Sequence, residues 1–457
     1  MNPNLRNNLL AICCLLSAAS HSQHIPDSTV RKIDGLFAQW NHNDRPGLAV
    51  GVVRNDSLIF FKGYGMANLE YGIPISAKTR FYIASVSKQF TGYCITLLAR
   101  QKKITLDEDI RVYLPWFPDL KKKITVRNLL NHTSGIRDHL NLIAISGLGI
   151  DGVLTNGLVV KTLKMQQSLN FDPGTRYSYS NSNYILLAEI VKAVSGKPFR
   201  QFADSAIFTP LRMKDTHFHD NPSELVTDRA MAYWQEDKGS YSNAFQNIYT
   251  VGDGGIFTTV ADASKWITNF YAPTAGDAKD IDALTTTGRL TTGKQMSYAA
   301  GIRISEENGW KVYSHSGALH AYRAYVYVYP ELRMGFIIFA NTTERDIQQN
   351  IGELTRLFVT SRKPGNEHSP QLPVRSKILP SDVTLLKKYA GDYISDDGYV
   401  LSIKWQDGNL LGSGFGQEFK VVSKEKNKDY HFPSKNNPLT TIVFSGHGQH
   451  EEFVLEF

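Results

Sequence analysis

Paired strand-like runs stand at the two ends of a long, mainly helical and loop-rich stretch, and this arrangement constrains the fold more than any other feature. Leu48 to Val53 and Leu58 to Phe61 are joined by Arg54-Asn55-Asp56-Ser57, whose polar residues suit a hairpin turn. Tyr322 to Tyr329 and Met334 to Ala340 flank a second turn at Pro330-Glu331-Leu332-Arg333. Strands early and late around a helical insertion predict an α+β domain whose two ends share one antiparallel sheet. Ahead of the first pair, Val30, Ile33, Phe37 and Trp40 recur at helical spacing and predict one amphipathic helix before Pro46. With 42% hydrophobic and 20% charged residues over 457 positions, the chain supports a large core, which argues against wholesale disorder.

The two ends of the chain read differently from this middle. Residues 1–22 resemble an export signal: Arg6 supplies the positive start, Leu9 to Leu16 the apolar core, and Ser20-His21-Ser22 the small side chains of a cleavage site. The expected location is therefore periplasmic or extracellular. The apolar run falls short of the ~20 residues that span a bilayer, so no integral membrane span is expected in the mature chain. Ile12 is too bulky for a usual lipid-attachment site at Cys13. Cys13 and Cys14 leave with this segment, and Cys94 stays as a buried structural thiol without a disulfide partner. Residues 23–362 form the main domain. Residues 363–382, with Lys363-Pro364-Gly365 through Pro380, read as a linker. Residues 383–457 read as a small all-β domain. There a helix-like stretch (Val383 to Tyr389) precedes Tyr399, Leu401, Ile403 and Trp405 in alternation, and Asp407-Gly408 turns the chain.

Several function classes drop out. Lys+Arg 50 against Asp+Glu 43 leaves +7, spread over a long chain, and the densest run, Lys121-Lys122-Lys123, reads as a solvated turn. No phosphate-binding glycine motif or zinc-spaced cysteine set is present, and no nucleic-acid partner or organic cofactor is expected. His217-Phe218-His219-Asp220 brings two imidazoles together, but no helix-spaced His–Glu pair supports them, so no metal is expected either. The absence of a Gly-x-Ser-x-Gly elbow argues against the α/β-hydrolase route to serine chemistry.

Three short motifs carry chemistry. In Ser85-Val86-Ser87-Lys88 the serine and lysine share a helix face, and the apolar stripe Phe90, Cys94, Leu97, Leu98 places Ser85 in the first turn. There unpaired N–H groups favour a developing negative charge, and a desolvated Lys88 can lose its proton near neutrality and activate the serine. Ser423-Lys424-Glu425-Lys426 repeats the pattern in a charged segment and reads as a decoy. In Tyr179-Ser180-Asn181 the tyrosine can relay a proton if neighbouring lysines depress its pKa, and Asn181 can hold a substrate carbonyl or orient the lysine. This motif follows the turn Asp172-Pro173-Gly174 and precedes a helical stripe, whereas its decoy Tyr241-Ser242-Asn243 lies in a polar stretch. In His315-Ser316-Gly317, on an expected edge strand, the small residues admit a substrate backbone. The N–H of Ala318 can then form an oxyanion hole with that of Ser85. Asp262, after Gly255-Ile256-Phe257-Thr258-Thr259, is expected to cap the next helix, and His132-Thr133-Ser134-Gly135 to shape a turn at a helix end.

In order and context, these motifs resemble those of the β-lactamase-related serine hydrolases, the superfamily of class C β-lactamases, penicillin-binding proteins and D-aminopeptidase-like enzymes. Ile124 to Gly135, Pro173 to Asn181 and Gly254 to Thr259 extend the resemblance over about residues 28 to 362. It implies an antiparallel sheet flanked by helices with an all-helical subdomain, the active site lying between them. It implies Ser85 as the acylated nucleophile and Lys88 as its proton partner. Tyr179 would be general base and acid, and Asn181 would contact the substrate amide. His315 stands where true class C β-lactamases and many penicillin-binding proteins carry lysine, and a mostly neutral histidine puts efficient lactam hydrolysis in doubt. The resulting expectation is an exported serine acyl hydrolase for small esters or D-amino-acid peptides, with a β-lactamase or a non-turnover penicillin-binding protein as alternatives.

Overall fold

The computed structural model describes residues 25–146, 152–236, 239–343 and 347–364, together with strands between 391 and 456. The export-signal segment, most of the expected linker and the helix-like Val383 to Tyr389 lie outside the described residues.

The core is a six-stranded antiparallel sheet. Its order is Arg303–Glu307, Trp310–Leu319, Tyr322–Tyr329, Met334–Ala340, Leu48–Arg54 and Ser57–Tyr64. The early and late strands meet as the sequence pattern predicts, with Leu48 opposite Ala340 and Arg54 opposite Met334. Period-two alternation splits their side chains between two cores. Leu48, Val50, Val52, Tyr325, Phe336 and Ile338 face the terminal helices Asp27–Leu36 and Ile347–Arg356. Ala49, Val53, Val326, Ile337 and Phe339 face the larger core, where the remaining helices lie. The expected N-terminal helix breaks at Phe37 into a 3-10 turn, Ala38–Trp40, yet Phe37 and Trp40 remain fully buried.

On the larger-core face, helix Val260–Asn269 crosses the sheet at close quarters. A Cβ on Gly51 would lie 2.4 Å from Val260 Cγ1, so only a bare backbone fits beneath the helix. Its cap corrects one expectation. Thr259, in extended conformation just outside the helix, accepts the N–H of Asp262. Asp262 sits inside the first turn and cannot cap it. Its carboxylate instead takes the N–H of Asp215, the hydroxyl of Thr216 and the ammonium of Lys265. Beyond this layer, helices Lys88–Arg100, Val126–Leu130, His139–Ile145, Asn156–Lys164 and Asn181–Ser195 build the helical region. Cys94 is buried there, with a thiol pKa pushed up by burial.

Past the main domain, four strands (Gly391–Ile394, Val400–Gln406, Asn409–Gly414, Gln417–Val421) form one antiparallel sheet. Three more (Asp429–Pro433, Thr441–His447, His450–Glu456) form another. Among the described residues no helix is long and apolar enough to cross a membrane.

Candidate active site

Ser85 lies in the 3-10 turn Ala84–Ser87, directly ahead of helix Lys88–Arg100. The turn starts from a strained residue: Ala84 has φ +45°, a left-handed conformation that costs an L-residue roughly 1–2 kcal/mol. Neighbouring bonds impose it, since Ile83 N–H donates to Ile256 O (3.0 Å) and Val86 N–H to Ile83 O (3.1 Å).

One helical turn on, Lys88 is fully buried. Its ammonium donates to Ser85 Oγ (3.1 Å), Asn181 Oδ1 (2.8 Å) and the Asp253 carbonyl (2.5 Å), which occupies all three donors. The rings of Tyr179 and Tyr184 lie 5.0 and 5.6 Å from Nζ. Burial outweighs the opposing charges of Asp253 and Asp138 and pulls the Lys88 pKa down to about 8.

Asn181 opens helix Asn181–Ser195, and both ends of its amide are held by the protein. Oδ1 accepts from Lys88, and Nδ2 donates to Asp138 Oδ2 at 2.9 Å. Of the two roles open to it in the sequence, the geometry realises the one that orients the lysine. Asp138, which sequence reasoning missed, does double duty. It caps helix His139–Ile145 through Oδ1 and holds Asn181 through Oδ2. An aspartate just before an apolar helical run was its only available signal.

Tyr179 is half-buried and hydrogen-bonds to the Ser85 side chain. Its pKa is raised, not depressed: loss of hydration dominates, the Ser85 hydrogen bond opposes it, and the carboxylates of Asp253 and Asp138 add to the rise. The lysine below it cannot offset that loss, so the resting tyrosine is a neutral hydroxyl. His132, buried at φ +56°, packs its ring 4.2 Å from that of Tyr179. Its Nδ1 accepts the N–H of Ser180 (3.1 Å), which puts the ring proton on Nε2. The expected turn is there, but the ring beneath the tyrosine was not foreseen.

His315 accepts at Nε2 from Tyr298 Oη (2.8 Å) and donates from Nδ1 to Ser316 O (2.6 Å), because that carbonyl can only accept. Burial and the Lys88 charge hold its pKa near 3, so it is neutral at pH 7. Gly317 has a packing role of its own. A Cβ there would lie 2.1 Å from Ile83 O and 3.2 Å from Ser85 N, so glycine is what lets this strand press against the Ser85 turn. That contact seats the strand, one residue before Ala318, against the Ser85 turn. The neighbouring strand Arg303–Glu307 pairs only as far as Ser314. From His315 to Leu319 the outer edge faces no strand among the described residues.

The decoys stay apart. Ser423-Lys424 lies outside the described residues, and Tyr241–Asn243 is a strand paired with Tyr233–Gln235, outside the Lys88 network. Among the described residues no metal-ligand set converges at Ser85. The one cluster of that kind among the described residues is His217, His219 and Glu224.

A serine at a helix start, a buried lysine of lowered pKa on its hydroxyl and a neutral tyrosine beside it are equipment for acyl transfer. On this sheet-and-helix scaffold they define a serine hydrolase of the β-lactamase/transpeptidase fold. Residues 31–356 match the family described as Beta-lactamase, and the chain belongs to that family. The D-aminopeptidase of Brucella canis is 27% identical over 379 residues, covering 81% of this chain and 68% of its own length. Solved structures share the fold. The octameric penicillin-binding protein homologue of Pyrococcus abyssi has a TM-score of 0.65 at 21% identity, covering 94% of this chain and 98% of its own. The D-amino acid amidase of Ochrobactrum anthropi SV3 has a TM-score of 0.60 at 18% identity, covering 73% and 99%.

Proposed function

We propose that this hydrolase cleaves amides or esters through a Ser85 acyl-enzyme, with D-amino-acid amides and peptides as its first substrate class. The observation that carries the reading is Lys88: buried, bonded to Ser85 Oγ at 3.1 Å and brought down to about 8, it is a base available near neutral pH. Neutral Lys88 takes the Ser85 proton as Oγ attacks the carbonyl carbon. The oxyanion rests on the N–H groups of Ser85 and Ala318. The Tyr179 hydroxyl protonates the leaving amine or alcohol, and the Lys88 ammonium under its ring returns the proton. Water then attacks the ester by the same path in reverse.

The substrate class rests on the D-aminopeptidase relatives and the D-amino acid amidase fold neighbour. Neutral His315 supports it, since that strand position offers no fixed cation to a substrate carboxylate. The same observation weighs against a β-lactamase or a non-turnover penicillin binder. The pattern in residues 1–22 supports export to the periplasm or beyond.

The test compares D- and L-aminoacyl p-nitroanilides and a short p-nitrophenyl ester, with an intact-mass time course on benzylpenicillin. Turnover of D-aminoacyl amides or esters that vanishes in Ser85→Ala supports the proposal. A stable Ser85-dependent penicillin adduct without amide or ester turnover would replace it with the non-turnover reading. Rapid lactam hydrolysis alone would replace it with the β-lactamase.

A further inference from the structure

His217 and His219 stand two residues apart along one extended segment. The alternation turns Phe218 into the core and both imidazoles to the other face. The chain then turns through Asn221, whose carbonyl accepts the Glu224 N–H at 3.1 Å, and this turn delivers a carboxylate to the imidazole pair. His217 Nε2 lies 3.4 Å from His219 Nδ1, and His219 Nδ1 lies 3.7 Å from Glu224 Oε2. All three ligand atoms fall within 4.8 Å of one another. Donors at about 2.0–2.2 Å around one tetrahedral ion stand roughly 3.3–3.5 Å apart, so these separations match a shared ion after small side-chain shifts. Two imidazole nitrogens and one carboxylate oxygen, with a fourth position open, suit Zn2+. The helix-spaced His–Glu pair sought in the sequence is not needed, because the loop supplies the glutamate.

A competing cation is built in. Arg200 donates to both Glu224 oxygens (2.5 and 2.8 Å) and lies 3.5 Å from Asp220. A carboxylate offers about four lone-pair sites and the guanidinium takes two, which leaves Glu224 able to ligate against a neighbouring positive charge. We propose that His217, His219 and Glu224 form a transition-metal site of Zn2+ type, weakened by Arg200. The site adjoins the hydrolytic machinery through the backbone. His219 N–H donates to Gly255 O at 2.7 Å, on the segment whose Asp253 carbonyl holds Lys88.

The experiment titrates metal-free full-length protein with Zn2+ by calorimetry and with Co2+ by visible spectroscopy, alongside thermal unfolding. The expected result is one ion per chain, the absorption of tetrahedral Co2+, and a Zn2+-dependent rise in Tm. His217→Gln and Glu224→Gln, each with the metal-free Tm of the parent, should bind at least tenfold more weakly. Arg200→Gln should bind about tenfold more tightly, the equivalent of roughly 1.4 kcal/mol. No binding at millimolar ion, parental affinity in both His217→Gln and Glu224→Gln, or weaker binding in a folded Arg200→Gln would overturn the proposal. None of these readouts uses hydrolysis, so they stand or fall apart from the serine chemistry.

Discussion

Asp138 holds Asn181 on a single carboxylate oxygen: Oδ2 accepts the Asn181 backbone N–H at 2.6 Å and its side-chain amide at 2.9 Å. The opposite end of that amide meets the Lys88 ammonium at 2.8 Å. The cap of helix His139–Ile145 thereby aims the lysine that opens helix Lys88–Arg100.

Asp138→Asn separates capping from aiming. Asparagine caps a helix about as well as aspartate, so thermal stability should change little. The charge-assisted grip on Asn181 is lost, however, and kcat/KM should fall about 10- to 100-fold, as expected for ~1.5–3 kcal/mol. The Asp138 carboxylate also raises the Lys88 pKa, so the acid limb of the pH–rate profile should move lower. A profile that keeps its midpoint would contradict this.

If free Lys88 amine is the base, kcat/KM should climb about tenfold per pH unit below about 8 and level off above it. Stability carries the same signature. The folded pKa of about 8 lies below the 10.5 of an unperturbed lysine, so between these values the native state binds fewer protons than the unfolded chain. The Lys88 contribution to stability therefore rises with pH through that window. Urea titrations at pH 8 and 10 on the parent and Lys88→Met would show the difference, with the parent gaining relative to the variant.

Gly317→Ala places a methyl 2.1 Å from Ile83 O, which the strand relieves only by backing away from the Ser85 turn. Overpacking of this kind costs about 1–3 kcal/mol, and displacement near 1 Å costs on the order of 100-fold in rate. We expect a folded protein with a lower Tm and kcat down about 100-fold. Circular dichroism melts and steady-state kinetics check both.

His315→Lys exchanges a neutral ring for a fixed cation near Lys88. The like charge should shift the acid limb of the rate profile further down, and substrates bearing a carboxylate on the leaving-group side should gain at least about tenfold in kcat/KM over neutral ones. A specificity ratio that does not move would remove His315 from substrate selection.

Pattern and chemistry were legible in the sequence to different degrees. The strands Leu48–Arg54, Tyr322–Tyr329 and Met334–Ala340 announce themselves because short apolar runs bounded by turn residues are local signals. Ser85, Lys88, Tyr179 and Asn181 converge because each sits at a helix start or turn with a readable flank. Asp253 was invisible, since its hydrogen bond to Lys88 comes from its carbonyl, a group every residue carries, and only the fold brings its charge near the lysine. Tyr298 was invisible because only tertiary packing brings it to His315. The condition set for Tyr179, a pKa depressed by neighbouring lysines, is not met, because hydration lost on folding outweighs them and leaves no mark in the sequence. Asp262 was mistaken for a cap because helix starts are set by backbone conformation one residue outside the helix, where Thr259 stands.

The central sheet also has a history in time. Gly47 N–H bonds Asn341 Oδ1 across a separation of 294 residues, and the strand that follows Gly47 pairs with the one that precedes Asn341. At about 5–20 residues per second of synthesis, the Leu48–Arg54 strand waits roughly 15–60 s for its partner. During that interval one edge of an almost wholly apolar strand is without its native partner, and such an edge is a template for pairing with another chain. The closure that shapes this enzyme thus joins the first strand of the sheet to one of the last to be made, and the sheet cannot close before Met334–Ala340 has been synthesised.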